Sequence, residues 1–207
     1  MRIRRPAGRV GRLWLLRRLA VARTGHDALE QKQRALARQL ERLEELIHDA
    51  RREWEGRARE AEIWWQRAAV LAGERPLEIA CEGARERATV ALEWRNALGV
   101  VYPSAAAVTP PAGEMAPSGG SAALAFAAEA HRHALDAAAD LGATELAHER
   151  TSRELRATTQ RLRVLERRWI PAHEQALRAL ELELDENERE EASRVRWVIR
   201  RHAASGS

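Results

Sequence analysis

LWLLRRLAVARTGHDALEQKQRALARQLERLEELIHDARREWEGRAREAEIWWQRAAVL, residues 13–71, decides the fold. Steps of four and three from Leu15 meet Leu15, Leu19, Ala22, His26, Leu29, Gln33, Leu36, Leu40, Leu43, Ile47, Ala50, Trp54, Arg57, Ala61, Trp64, Ala68 and Leu71. Fourteen of these seventeen positions are apolar, and His26, Gln33 and Arg57 are the exceptions. Arg, Glu and Gln fill most of the positions between. A sustained 3.5-residue period with a charged outer face is the pattern of a coiled-coil helix. At 1.5 Å per residue it would run about 85 Å. A helix that long cannot cover its own apolar stripe, so the pattern requires a partner of similar length.

The partner lies at the other end of the chain. From Ser121, a reasonable N-cap, a second seam reads Ala123, Ala127, Ala130, Ala134, Ala137, Leu141, Thr144, His148, Thr151, Leu155, Thr158, Leu162, Leu165 and Trp169. It resumes one residue out of phase as Leu177, Leu180, Leu184, Asn187, Glu191, Arg194 and Val198. A one-residue slip is a stutter that relaxes the supercoil. Pro171 sits beside it and removes a backbone donor, so a kink is expected there. The acidic run Glu181, Glu183, Asp185, Glu186, Glu188, Glu190 and Glu191 would lie near the basic first turns and Arg23 if the helices are antiparallel. Opposite charges flanking a seam select orientation and register.

Between the helices the pattern changes. Gly73 and Pro76 end the first helix. Residues 77–87 read as a short helix. Ala88, Val90, Leu92 and Trp94 then alternate with Thr89, Ala91, Glu93 and Arg95, the period of a strand. Asn96 to Gly99 reads as a turn, with Val100 to Tyr102 as a second strand. Pro103, Pro110, Pro111, Pro117 and Gly119–Gly120 read as an irregular loop over 104–120. The expected fold is mostly α: a long antiparallel two-helix coiled coil with a small α/β tip containing a short hairpin. Its parts are an N-terminal helix in 1–72, the tip in 73–120, a C-terminal helix in 121–203 kinked near Pro171, and a frayed tail at 204–207. The second helix is the longer by about twenty residues, and its Ala-rich start, 121–141, would pack on the tip.

Composition fits this reading. Aromatics make up 4% and charged residues 32%, a balance suited to long helices more than to a compact core. Net charge is +4, with Arg and Glu interspersed as on a solvated helix face. The N-terminus differs, since Arg2, Arg4, Arg5, Arg9, Arg12, Arg17, Arg18 and Arg23 all precede the first acidic residue, Asp27. Cys81 is the single cysteine, which leaves no internal disulfide and no cysteine-based metal site. No apolar run approaches the roughly 18 residues of a membrane span.

Residues that invite a chemical role have plainer readings. His131 and His133 stand two apart on a helix and point to different faces, so they cannot share a metal. His26 and His148 occupy seam positions, where polar residues set register. The run 181–191 has helical period and lacks the loop geometry of a calcium site. No phosphate loop, nucleophile elbow or zinc spacing is present. The sequence therefore offers no catalytic, cofactor-binding or metal-binding residue.

Three segments carry a resemblance. PAGRVGRLWLLRRLAVARTGHDALEQKQRAL (Pro6–Leu36) holds Ala-Arg-x-Gly at 22–25 and Leu29-Glu30-x-Lys32. RLRVLERRWIPAHEQALRALELELDENEREEASRVRWV (Arg161–Val198) holds the Ile170–Pro171 step and the run Leu184 to Glu190. ATVALEWRNALGVVYP (88–103) lies between them. Together they resemble the D subunit of V/A-type (vacuolar/archaeal-type) rotary ATPases. The loop 104–120 has no counterpart in the resemblance.

The resemblance implies a central rotor shaft that couples ATP hydrolysis or synthesis to proton or sodium translocation, without catalysis or a cofactor on this chain. Its implied partners are the catalytic and regulatory ring subunits of A and B type, a small F subunit of the stalk, and a funnel-shaped C/d-type subunit that links to the membrane rotor. The implied location is cytoplasmic, peripheral to the inner face of the plasma membrane. The ring-facing surface would be residues 8–30 and 180–203, with Arg9, Arg12, Arg17, Arg18, Arg23, Arg189, Arg194 and Arg196 as contacts. The funnel-facing surface would be 74–120. The other reading of the residues is a free coiled-coil adaptor or a nucleic-acid-binding protein using the basic N-terminus. Binding to phosphates through several arginines would weaken steeply with salt.

Overall fold

The computed structural model describes residues 3–4, 6–73, 75, 78, 87–110 and 121–205. Two long helical segments pack against each other and an antiparallel hairpin accompanies them. The first segment is α1 (Gly8–Ala72). The hairpin is β1 (Thr89–Ala97) and β2 (Val100–Thr109). The second segment is α2 (Ala122–Val164), a π-helical turn (Leu165–Trp169) and α3 (Ile170–Ser205). The chain divides into two compact units, Met1–Gln33 with Ala157–Ser207, and Arg34–Arg156.

In the first unit the start of α1 runs antiparallel to the π turn and α3. Arg12 pairs with Glu181 at 2.8 Å, Arg23 with Glu174 at 2.8 Å, and Gln33 Nε2 donates to Thr159 Oγ1 at 2.9 Å. Leu15, Leu19, Ala22, Leu162 and Leu180 are buried, together with Thr158 and His173. Gly8 has φ +69 and turns the chain back, so the Pro6 carbonyl lies against Gly11. A Cβ on Gly11 would run into that carbonyl and stand 3.2 Å from Leu180 Cδ2.

The slip in the second seam is taken up by the π turn. Ile170 donates its N–H to the Leu165 carbonyl, five residues back, instead of to the residue four back. An α-helical Pro171 would press its ring on the carbonyl four residues before it and leave that oxygen without a donor. One extra residue in the turn widens the helix just ahead of the proline. His173 then takes the seam position between Trp169 and Leu177. Only 2% of it is exposed, its Nδ1–H donates to the Trp169 carbonyl at 2.8 Å, and its ring stacks on Trp169 at 3.6 Å.

In the second unit the later part of α1 runs antiparallel to α2, with Arg51 bonded to Glu145 at 2.7 Å. Leu36, Leu43, Ala61, Ala68, Leu141, Ala143, Ala147 and Thr151 are buried. α1 stops at Ala72, where Gly73 has φ +83 and donates its N–H to the Ala69 carbonyl at 3.2 Å, a left-handed C-cap. The Ser121 carbonyl accepts from Leu124 and Ala125 at the start of α2.

The Ala-rich start of α2, expected on the tip, packs among the described residues on the end of α1. Ala123, Leu124 and Ala127 form one cluster with Ala68, flanked by Trp64, Ala69 and Ala72 from the end of α1. Small residues on both helices permit close approach, and Phe126 adds a stacked contact on Trp64 at 4.8 Å. The surplus length of the second segment therefore lies at its other end. Every side chain from Asp185 to Arg201 is exposed. Asn187, Glu191, Arg194 and Val198, expected on the seam, are among these exposed residues. Leu71 and Trp54 of the first seam are exposed as well.

The strands are longer than their alternation suggested. β2 continues through Pro103 to Thr109, so residues 104–109 of the expected loop are strand. Pro103 is accommodated because the register shifts there: Trp94 faces Pro103, Glu93 faces Ala105, and Ser104 is the extra residue. A bulge on a two-stranded ribbon is a position where a missing N–H costs no ladder bond. Leu98 and Gly99 form the two-residue turn, with φ 56 and φ 77, the type I′ pattern that matches strand twist. The hairpin lies back along the helix pair. Tyr102, Pro103 and Ala105 line a groove with Leu43, Leu46 and Ala50 of α1 and with Ala143 and Ala147 of α2. Arg150 fastens it, donating to the Val101 carbonyl at 3.1 Å while its guanidinium lies 4.7 Å over the Trp94 ring. Most of the short helix expected over 77–87, together with Cys81 and residues 111–120, lies outside the described residues. Residues 204–205, expected to fray, are the last of α3, and 206–207 lie outside.

Candidate interface with partner chains

The seam residues named from sequence fall on the packed faces to different degrees. Leu15, Leu19, Leu36, Leu43 and Leu162 are buried, whereas Leu29, Leu40, Ile47, Leu155, Leu165 and Trp169 are half-buried. The two seam histidines each reach a carboxylate across the helix pair of their own unit. His26 Nε2 lies 2.8 Å from Glu166 Oε1, and His148 Nε2 lies 3.5 Å from Glu44 Oε1. The other ring nitrogen of His26 is 3.3 Å from Asp27 Oδ1, and these two carboxylates, Glu166 foremost, raise its pKa above 6.5. His131 donates to the Ala127 carbonyl and meets Trp65 edge-on, while His133 faces Glu129.

The arginines expected to reach another protein divide into two groups. Arg9, Arg12 and Arg23 bond Glu188, Glu181 and Glu174 of the second helical segment. In exposed pairs such contacts contribute under about 1 kcal/mol each, so they set register more than stability. Arg17 and Arg18 instead rim a groove walled by Trp14, Val21, Leu165 and Trp169. On α3, Arg194 bonds Glu190 and Arg196 donates to the Ala192 carbonyl, both one turn back on their own helix. Arg189 is exposed.

The last five turns of α3 hold a cluster of exposed apolar side chains. Val195, Trp197, Val198 and Ile199 are 57%, 58%, 45% and 62% exposed, and Arg201 covers one face of Trp197 at 5.0 Å. Apolar residues clustered on a helix and left exposed among the described residues of its unit mark a surface for another chain. Extending the seam through Val198 hid this surface at the level of sequence. The signal was present in the seam itself, which turns polar at Asn187, Glu191 and Arg194.

A family model for the D subunit of ATP synthase matches residues 13–200. The chain belongs to the ATP synthase D subunit family. It is 32% identical to the V-type ATP synthase D subunit of Anaeromyxobacter dehalogenans (strain 2CP-1 / ATCC BAA-258), over 94% of this chain and 95% of that protein. It is 31% identical to the A-type ATP synthase D subunit of Thermococcus gammatolerans, over 89% of this chain and 88% of that protein. With that of Methanopyrus kandleri the identity is 30%, over 87% and 79%. Membership in the D subunit family places the chain in a V/A-type rotary ATPase. A free adaptor or nucleic-acid-binding protein is not favoured. Among the described residues no helix is long and apolar enough to cross a membrane.

Proposed function

We propose that this D subunit is the non-catalytic central shaft of its complex, transmitting torque between an ATP-hydrolysing or ATP-synthesising ring and a membrane rotor that moves protons or sodium. Residues 8–30 and 180–203 face the ring subunits of A and B type. The region 74–120, whose described part is chiefly the hairpin, faces the funnel-shaped C/d-type subunit, and the small F subunit binds alongside. The complex stands on the inner face of the plasma membrane, and this chain is peripheral to it.

The observation that carries this reading is the uncovered end of α3. From Asp185 to Arg201 its side chains are exposed, apolar ones included, so a surrounding ring would bury what the chain itself does not. A torque-bearing element also suits paired helices with charged flanks. Exposed ion pairs are weak individually and can exchange at each rotation step.

Removal of residues 195–207 tests it. The truncated chain should keep the melting behaviour of the full chain and lose only the helix content of the removed turns, because the side chains described there are exposed. ATP-driven ion pumping by the reconstituted complex should fall while ATP hydrolysis persists. Intact pumping with the truncated chain would remove the ring from this end of the molecule.

A further inference from the structure

We infer that the groove between Trp14 and Trp169 is a docking site for an acidic segment of a ring subunit, seated beside the π turn. The inference rests on the shaft reading and extends the ring-facing surface to Leu165–Trp169, outside the ranges assigned to it above. The floor is apolar: Trp14, Val21, Leu165 and Trp169 line it, and Val21 is 74% exposed. The rim is cationic. Arg17 and Arg18 border the groove, and Arg167 and Arg168 belong to the same turn as Leu165 and Trp169. Arg18 stacks 4.6 Å over the Trp14 ring, which orients its guanidinium without neutralising it.

None of these four arginines has a carboxylate partner among the described residues, and the neighbouring carboxylates are engaged elsewhere. Glu166 faces His26, and Glu174 faces Arg23. Guanidinium forks bind carboxylates in pairs, and an apolar floor that excludes water strengthens such pairs. The groove, about 430 Å³, lies open along the helix surface and would bury too little of a small molecule to hold it. A chain segment with acidic residues flanking one apolar or aromatic side chain satisfies both floor and rim. A nucleic acid would need the positive track to continue along the helices, but Arg12 and Arg23 on either side are neutralised by Glu181 and Glu174. Extra-residue π turns recur at functional positions in helices, and this one places Leu165 and Trp169 on the groove wall.

The experiment uses the assembled complex carrying p-benzoylphenylalanine in place of Val21. Irradiation should attach the chain to a segment of a ring subunit rich in Asp and Glu. The double variant R17E/R168E should lower the crosslink yield on the order of tenfold, as loss of two charge-assisted contacts would. R17K/R168K should retain most of it, and circular dichroism should show unchanged helix content in both. A crosslink to a segment without excess acidic residues, to nucleic acid or lipid, or a yield indifferent to charge reversal overturns the docking site. Co-purification separates the two readings. If ring subunits accompany the chain but the crosslink falls elsewhere, only the docking site fails; if they do not accompany it, the shaft reading fails.

Discussion

His26 Nε2 stands 2.8 Å from Glu166 Oε1, joining the first helix to the π turn of the second. Asp27 closes on the other ring nitrogen at 3.3 Å, so both nitrogens donate and the imidazolium is favoured. Its folded pKa is raised above 6.5. A raised folded pKa contributes stability that is complete below the unfolded value and lost as pH rises through the folded one. The stability difference between wild type and His26→Gln should therefore be greatest at about pH 5.5 and shrink toward about pH 8.5. Chemical denaturation across that range measures it. A difference that holds constant or grows with pH would mean that the pair does not act through protonation.

Gly11 and Gly56 should respond oppositely to alanine. At Gly11 the added Cβ meets the Pro6 carbonyl, a backbone group, and Leu180. Overpacking of this kind costs about 1–3 kcal/mol. At Gly56 nothing lies within 4 Å, and replacing a helical glycine with alanine adds about 1 kcal/mol. Thermal melts of the two single variants should move in opposite directions.

Thr158 is fully buried and its Oγ1 has no hydrogen-bond partner among the described residues. An unsatisfied buried hydroxyl costs about 1–3 kcal/mol. Thr158→Val keeps the branched shape and removes that group, so the variant should melt about 2–4 °C higher for each kcal/mol recovered in a chain of this size. A lower melting temperature would indicate that the hydroxyl is satisfied, by bound water for example.

Arg150 holds the hairpin through one carbonyl and one indole ring. Arg150→Met should speed amide exchange in β1 and β2 while leaving the paired helices protected. Leu98 occupies a left-handed position, φ 56, where asparagine is favoured in a type I′ turn. Leu98→Asn should slow exchange in the strands. Exchange measured by NMR reads both, and acceleration throughout the helices in the Arg150 variant would contradict a local role.

Legibility varied along the chain. Leu15, Leu19, Leu36 and Leu43 were readable as core because a 3.5-residue period leaves one stripe to bury. The antiparallel charge pairing was readable too, and Arg12 and Arg23 each meet a carboxylate of the second helix. The slip after Trp169 appeared in the spacing, but its form did not. A stutter, a proline kink and a π turn all shift the phase, and the difference lies in one carbonyl's choice of donor. His173 went unread although it stands four residues from both Trp169 and Leu177. The Pro103 strand was missed because proline forbids a strand only where its N–H is needed, and a bulge removes that need.

The sequence by itself determined that two long helices pair, which faces they bury and that a hairpin lies between them, since periodicity and charge order are local properties of the chain. Only the tertiary structure decided where the longer helix overhangs, how far the strands run and where the hairpin rests. Those outcomes depend on contacts such as Trp64 on Phe126 and Arg150 on Trp94, made between residues far apart in the chain. Each is a modest energy, and their sum selects one register among several that the seam alone permits.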